Sequence, residues 1–184
     1  GMTVDGDSSY FMHEAVRILL DSLHVSRAVV GGLSMGAMVT TDFAIKYPGY
    51  TEKLILLVPG LSGNWKIIPE DSIMQRSFEH MKQALERHDT LMAAEYFIQN
   101  WFDGPLRRPQ ETDTVQRRKA VMMAYNTLQV HRNLYWVREA KPESITRLNK
   151  INCPTLIVVS EKDNPIIRRN ADVLQRDIPR AQRV

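Results

Sequence analysis

Residues Val29-Val30-Gly31-Gly32-Leu33-Ser34-Met35-Gly36-Ala37 constrain this chain more than any other stretch, because they set a serine between two glycines where a β-branched run gives way to a helical pattern. A residue at the apex of so abrupt a turn is forced into positive φ, which is costly for anything with a Cβ and persists only where the neighbours leave space. Gly32 and Gly36 are the residues expected to leave it. The layout is that of a nucleophile elbow. Five residues of this kind arise by chance in roughly one chain in twenty of this length, so the flanks matter. Arg27 to Gly31 reads as a short buried strand, and Ala37, Met38, Thr41, Phe43, Ala44 and Ile45 can pack one helix before Lys46-Tyr47-Pro48-Gly49 stops it.

Around this turn the chain alternates helix and strand. Phe11, Ala15, Ile18, Leu19 and Leu23, with Met12 and Val16 beside them, recur at helical spacing between Tyr10 and Leu23. Lys53 to Val58 forms a second apolar strand, ended by Pro59-Gly60, and Pro154 to Ser160 a third. Runs apolar on both faces suit central strands of a parallel sheet, and the alternation predicts an α/β layer with right-handed crossovers. After Pro142 a short helix is expected to carry Ile145 and Leu148; a last helix covers Ile166 to Asp177, and Ala181 to Val184 read as the opening of another strand.

Strand signals vanish between Gly63 and Lys141, so the expected organisation is a core of residues 1–62 and 142–184 with an all-helical insertion, 63–141. Its helices are placed at Ser72 to Arg87, Thr90 to Trp101, Thr112 to Val130 and Asn133 to Glu139, with Gly104-Pro105 and Arg108-Pro109 as breaks. Met74, Met81, Met92, Met122, Met123, Trp65, Trp101 and Trp136 suit either an adaptable apolar roof over a site or the insertion's own core.

Bulk properties narrow the function. The 184 residues carry a formal charge of +3, with basic residues spread along the chain, which gives no footprint for nucleic acid. The densest basic cluster, Arg117-Arg118-Lys119 with Arg107 and Arg108 nearby, reads as a solvated helix face. Cys153 is the one cysteine, which excludes an internal disulfide and a thiolate cluster and fits a reducing, cytoplasmic setting. No apolar stretch is long enough to span a bilayer, and the polar start has no apolar core of a signal peptide. Neither a phosphate loop nor metal-ligand spacing is visible, so no cofactor or metal is expected.

A serine hydroxyl is a poor nucleophile at its ordinary pKa, so a working elbow needs an imidazole to take the proton and a carboxylate to orient that imidazole. It also needs donors for the oxyanion, and the backbone N–H of Met35, at a helix N-terminus, is aimed by the turn where negative charge develops. For the carboxylate, Ser160-Glu161-Lys162-Asp163-Asn164-Pro165 follows an apolar strand and therefore lies at the carboxyl edge of the sheet, with Ser34. Asp163 is preferred to Glu161 because it stands in the turn proper; the alternative is that Asp163 caps the next helix.

With these segments in hand, the chain resembles an α/β-hydrolase of the lidded, enol-lactonase-like and carboxylesterase-like group. The likeness rests on Val29 to Gly36, on Ala44-Ile45-Lys46-Tyr47-Pro48, on Cys153 to Asp163 and on Trp101-Phe102-Asp103-Gly104-Pro105. It implies a serine hydrolase in which Ser34 is the nucleophile, Met35 an oxyanion donor, Asp163 the triad acid and the insertion a lid. The expected substrate is a small apolar ester, lactone or related carbonyl compound, cleaved through an acyl-enzyme; acyl transfer or peroxidation on the same serine is a variant of this chemistry.

The departures are as informative. The family order is Ser, acid, His, yet no histidine follows Asp163: the five are His13, His24, His80, His88 and His131. The family's early strands and glycine-rich oxyanion loop are also missing, leaving three clear strands (about 27–31, 53–58 and 154–160) and an open apolar edge. Three explanations compete: a sequence that omits parts of a longer protein, a shortened gene product, or two copies that complete one another as a homodimer through the sheet edge or the lid. The alternative function is a catalytically silent hydrolase-fold protein with a binding role.

Overall fold

The computed structural model describes residues 11–64, 73–104, 106–130 and 140–184. They form two compact units, a helical one within 73–130 and a sheet unit built from 11–64 and 140–184. The expected helix at Asn133 to Glu139, together with Trp65, Trp136 and His131, lies outside the described residues.

The sheet unit runs α1 (Met12–Ser22), β1 (Ala28–Leu33), α2 (Met35–Lys46), a 3₁₀ turn (Pro48–Tyr50) and β2 (Thr51–Leu57). It resumes with two 3₁₀ turns (Ser144–Thr146, Leu148–Lys150), β3 (Thr155–Val158), α6 (Pro165–Asp177) and β4 (Ala181–Arg183). All four strands are parallel and lie in the order β1-β2-β3-β4, so each crossover advances the sheet by one strand. The expected opening strand at 181 is thus a fourth ladder member, Leu156 pairing with Gln182. The expected α-helix after Pro142 is instead a pair of 3₁₀ turns. An i, i+3 spacing such as Ile145 to Leu148 suits both forms, and the short segment is held from outside, where the Ile145 N–H donates to Ser62 O (3.2 Å) and Ser144 Oγ donates to the buried Asp42 carboxylate.

One face of the sheet makes the core. Leu54, Leu56 and Ile157 meet Ala37, Ala44 and Ile45 of α2, Ala171 and Leu174 of α6, and Leu61, Leu148, Ile151 and Ile178 from the connections. Small residues on α2 let the helix lie close to the strands. On the opposite face, where the apolar runs predicted a second covering layer, Val29 (50% exposed), Leu33 (62%) and Leu156 (36%) are open. Among the described residues nothing covers them.

The helical unit holds α3 (Ile73–Glu86), α4 (Thr90–Ile98) and α5 (Thr114–Val130). Its core is Ala84, Ala93, Ala94, Ile98, Val121, Ala124 and Leu128, with Met81 packed against it, while Met92, Met122 and Met123 are exposed. Asp103, in the π-helical turn after α4, is 1% exposed and receives Arg117 Nε at 3.0 Å, and Arg117 Nη1 donates to Glu95 at 2.8 Å. One member of the basic cluster thus neutralises a buried carboxylate, and solvates no face.

Candidate active site

The parallel register brings the ends of β1, β2 and β3 to one edge: Leu33 stands beside Leu57, and Leu57 beside Val158. Ser34, the Val58-Pro59-Gly60 loop and the Ser160–Asp163 turn all leave the sheet there, at the carboxyl edge where open α/β sheets build their sites.

Ser34 is the pivot between β1 and α2. Its backbone sits at φ 54°, ψ −114°, a region nearly closed to residues with a Cβ, and α2 begins at the next residue. Three sets of bonds hold it. Its N–H donates to Leu57 O (2.9 Å), its carbonyl accepts from Ala37 and Met38 N–H as α2 opens, and the same carbonyl accepts from Gly60 N–H (3.0 Å). The room comes from Gly32, where an added Cβ would stand 2.2 Å from Gly36 O. Gly36, expected to leave room as well, has nothing within 4 Å of the place a Cβ would take. The close approach is therefore made by Gly32 against the backbone of Gly36, and the side-chain space at 36 faces outward.

Two neighbours of the elbow were not singled out in the sequence. Gly60 brings its chain so close that a Cβ there would lie 3.0 Å from Ser34 O; Pro59-Gly60 carried only the signature of a strand end. Val58 holds φ 49°, which a β-branched residue adopts only under tertiary constraint, and its N–H donates to Val158 O (2.8 Å). No local pattern marks such a valine.

Asp163 closes a turn in which its N–H donates to Ser160 O (3.1 Å), and it is half-buried. The helix cap is its neighbour: Asn164 Oδ1 accepts from Ile166 N–H (3.1 Å), and Asp163 Oδ1 accepts from Asn164 N–H (2.7 Å). The N-cap of α6 is therefore Asn164, not Asp163, and the bond to Asn164 N–H uses one of the two Asp163 carboxylate oxygens. Met35, as the first residue of α2, contributes one of the N–H groups that a helix leaves without an internal acceptor.

The sheet unit's two described histidines lie elsewhere. His13 packs on Tyr47 (ring centroids 6.4 Å), just beyond the last turn of the 12-residue α2, a helix about 18 Å long at 1.5 Å per residue with the elbow at its other end. His24 follows α1 and precedes β1, at the amino edge. His80 and His88 belong to the helical unit, His80 beside Tyr96 (5.2 Å) and His88 at φ 60° past the end of α3. Among the described residues no helix is long and apolar enough to cross a membrane, and no group of three or more His, Cys, Asp or Glu is placed to hold a metal ion. Burial pushes the Cys153 thiol above its ordinary pKa, against reactivity.

Comparisons with known proteins agree with this geometry. The family model Hydrolase_4, described as serine aminopeptidase S33, matches residues 12–183. An α/β-hydrolase enzyme from a Medee basin deep-sea metagenome library superposes with a TM-score of 0.72 at 21% identity, covering 100% of this chain and 66% of that one. The enol-lactonase of Burkholderia xenovorans LB400 gives 0.63 at 17% identity, with 100% and 67% covered. Among curated proteins, the 2-hydroxy-6-oxo-6-phenylhexa-2,4-dienoate hydrolase of Comamonas testosteroni is 30% identical over 107 residues, 52% of this chain and 37% of that protein. The chain thus spans about two thirds of its structural neighbours and a smaller part of its curated relatives. Because the family match runs unbroken through the elbow, the strand end at 58–60 and the acid-bearing turn, the chain belongs to the serine aminopeptidase S33 family of α/β-hydrolases.

Proposed function

We propose that this chain supplies the nucleophile and the acid of a serine hydrolase acting on a small, apolar ester, lactone or related carbonyl compound. The observation that carries the reading is the conformation of Ser34: a serine held at φ 54° between a strand and a helix, at the edge where the Asp163 turn also emerges. Ser34 Oγ attacks the carbonyl carbon as its proton passes to an imidazole oriented by Asp163. The Met35 N–H receives the oxyanion. Collapse of the tetrahedral intermediate expels the alcohol with that proton, and water then cleaves the acyl-serine. The substrate class is supported by the relatives' descriptions, which include an enol-lactonase and a 2-hydroxy-6-oxo-6-phenylhexa-2,4-dienoate hydrolase. A homoserine O-acetyltransferase of Thermus thermophilus, 38% identical over 66 residues, supports transfer of the acyl group to an alcohol as a weaker variant of this scheme.

The placement of His13 and His24 away from the carboxyl edge favours a second reading, a silent hydrolase-fold protein with a binding role. Intact-mass detection of fluorophosphonate labelling, with Ser34→Ala as control, separates the two. Labelling confined to Ser34 establishes an assembled nucleophile and base, the imidazole then coming from outside the described sheet unit. A folded chain that takes no label is the silent protein.

A further inference from the structure

One polar side chain on the buried stripe of α6 is out of place. Ile166, Ile167, Asn170, Ala171 and Leu174 face the core, and Asn170 is 3% exposed among them. A buried amide in such a stripe destabilises the fold unless its hydrogen bonds are made. Asn170 Nδ2 donates to Pro59 O (2.8 Å), and Asn170 Oδ1 accepts from Nδ2 of Asn64, itself 1% exposed. The chemistry fixes the direction of this chain. A carbonyl can only accept, so Asn170 must turn its NH₂ to Pro59 and its oxygen to Asn64, which must then donate.

Pro59 is the middle of the loop whose next residue, Gly60, donates to Ser34 O (3.0 Å), while Leu57 before the loop accepts from Ser34 N–H (2.9 Å). Of these two backbone bonds that tie Ser34 to its surroundings outside α2, one thus ends in this loop and the other on the strand residue that enters it, and Val58 within the loop is strained at φ 49°. A strained loop relaxes unless something outside it prevents that. Beside the backbone bond from Val58 N–H to Val158 O (2.8 Å), the outside contact is the side chain of Asn170, on Pro59. Asn170 sits six residues after Asn164, on the helix that begins directly behind the Asp163 turn.

We propose that Asn170, seconded by Asn64, is a positioning residue: its amide clamps Pro59, keeps the 58–60 loop against Ser34, and links the acid-bearing helix to the nucleophile. The inference rests on the reading of Ser34 as nucleophile for its catalytic meaning, and its test is independent of that reading.

The test uses the full chain with Ser34→Cys and Cys153→Ala, so that a single thiol, at position 34, reports the elbow. Thiols at helix N-termini titrate low, and alkylation by iodoacetamide needs no histidine. Asn170→Ala and the equal-sized Asn170→Asp, which removes the donor to Pro59, are expected to raise the pKa of this reporter thiol by about one unit, slowing alkylation about tenfold at pH values below that pKa. Asn64→Ala leaves the Pro59 bond but frees the amide, and is expected to give a smaller change in the same direction. Ser144→Ala, which removes another buried polar contact of the same unit, is expected to lower the melting temperature without moving the reporter's pKa.

Folded Asn170 variants with an unchanged thiol pKa and alkylation rate would overturn the proposal, leaving Asn170 as a structural residue only. Should both Asn170 variants fail to fold, Asn64→Ala decides in the same way: a shifted thiol pKa supports the clamp, an unshifted one overturns it. Absence of fluorophosphonate labelling at Ser34 would count against the hydrolase reading alone.

Discussion

The two glycines that flank Ser34 look equivalent in sequence and are opposite in structure. A methyl group on Gly32 would be driven into Gly36 O at 2.2 Å, and the backbone at fault cannot move without opening the elbow. Gly32→Ala is therefore expected to destabilise the sheet unit by about 3 kcal/mol or more, in the range of severe single substitutions. Gly36 lies in the first turn of α2 with open space around its Cβ direction. Gly36→Ala should be neutral or stabilise by up to about 1 kcal/mol, the helix propensity difference. Urea unfolding of the two variants checks the pair, and equal losses would mean that the close approach is not confined to Gly32. At this scale the turn itself was legible, because Gly32, Ser34 and Gly36 stand within five consecutive residues. Asn170 and Val58 stayed hidden, since an amide reaching Pro59 across 111 positions and a strained valine leave no local trace.

Elements were legible where their apolar pattern was long. β1, β2, β3 and the helices α2 and α6 lie within a few residues of their expected bounds, whereas the turns after Pro142 were misread because three-residue spacing cannot separate a 3₁₀ turn from a short helix. α1 shows a subtler limit. Its apolar periodicity predicted one buried stripe, yet Ile18 and Leu19 (57% exposed each) and Leu23 (61%) face outward, and the helix is held to α2 largely by polar contacts. Tyr47 Oη donates to Glu14 (2.7 and 2.8 Å), Lys46 pairs with the same carboxylate, and Tyr50 Oη donates to Asp21 (2.7 Å). The hydrogen bonds from Lys46 and Tyr47 hold Glu14 down to about 2, from an ordinary 4.5. Burial, with Lys46 adding to it, lowers His13 below its ordinary 6.5. Both shifts have one sign: below pH 6.5 for His13 and below 4.5 for Glu14, the unfolded chain binds more protons than the folded one, so stability falls as pH falls. The urea midpoint should therefore drop between pH 7.5 and 5.5, and His13→Phe, which keeps a ring against Phe11 and Tyr47, should flatten that drop. An unchanged slope in His13→Phe would assign the acid sensitivity elsewhere.

Over the molecule as a whole, the open edge of the sheet was legible in sequence, whereas its bare face was not. Strands apolar on both faces predicted two covering layers, but a pattern of hydrophobicity records what each face requires and says nothing of what meets it. In the sheet unit, α2 and α6 cover one face only. On the other, Val29, Leu33 and Leu156 are exposed and Ile55, Leu57 and Val158 half-exposed, and β1 is an edge strand with a row of backbone groups unpaired by any described strand. Parallel strands are seldom left uncovered, and an apolar edge beside an apolar face is a template for association. The expectation is that copies of this chain associate in solution, with sedimentation velocity showing a mass that climbs with concentration. Val29→Lys and Leu156→Lys place a charge on the bare face at positions already in contact with water, so they should shift the distribution towards monomer while leaving the melting temperature nearly unchanged. The two substitutions should also act together, since Gly31, next on the face after Val29, pairs with Ile55 and Ile55 with Leu156, making the three strands one continuous surface. A wild-type chain that stays monomeric at high concentration would mean that the open face is protected in a way the described residues do not account for, and would remove self-association from the ways this sheet can be completed.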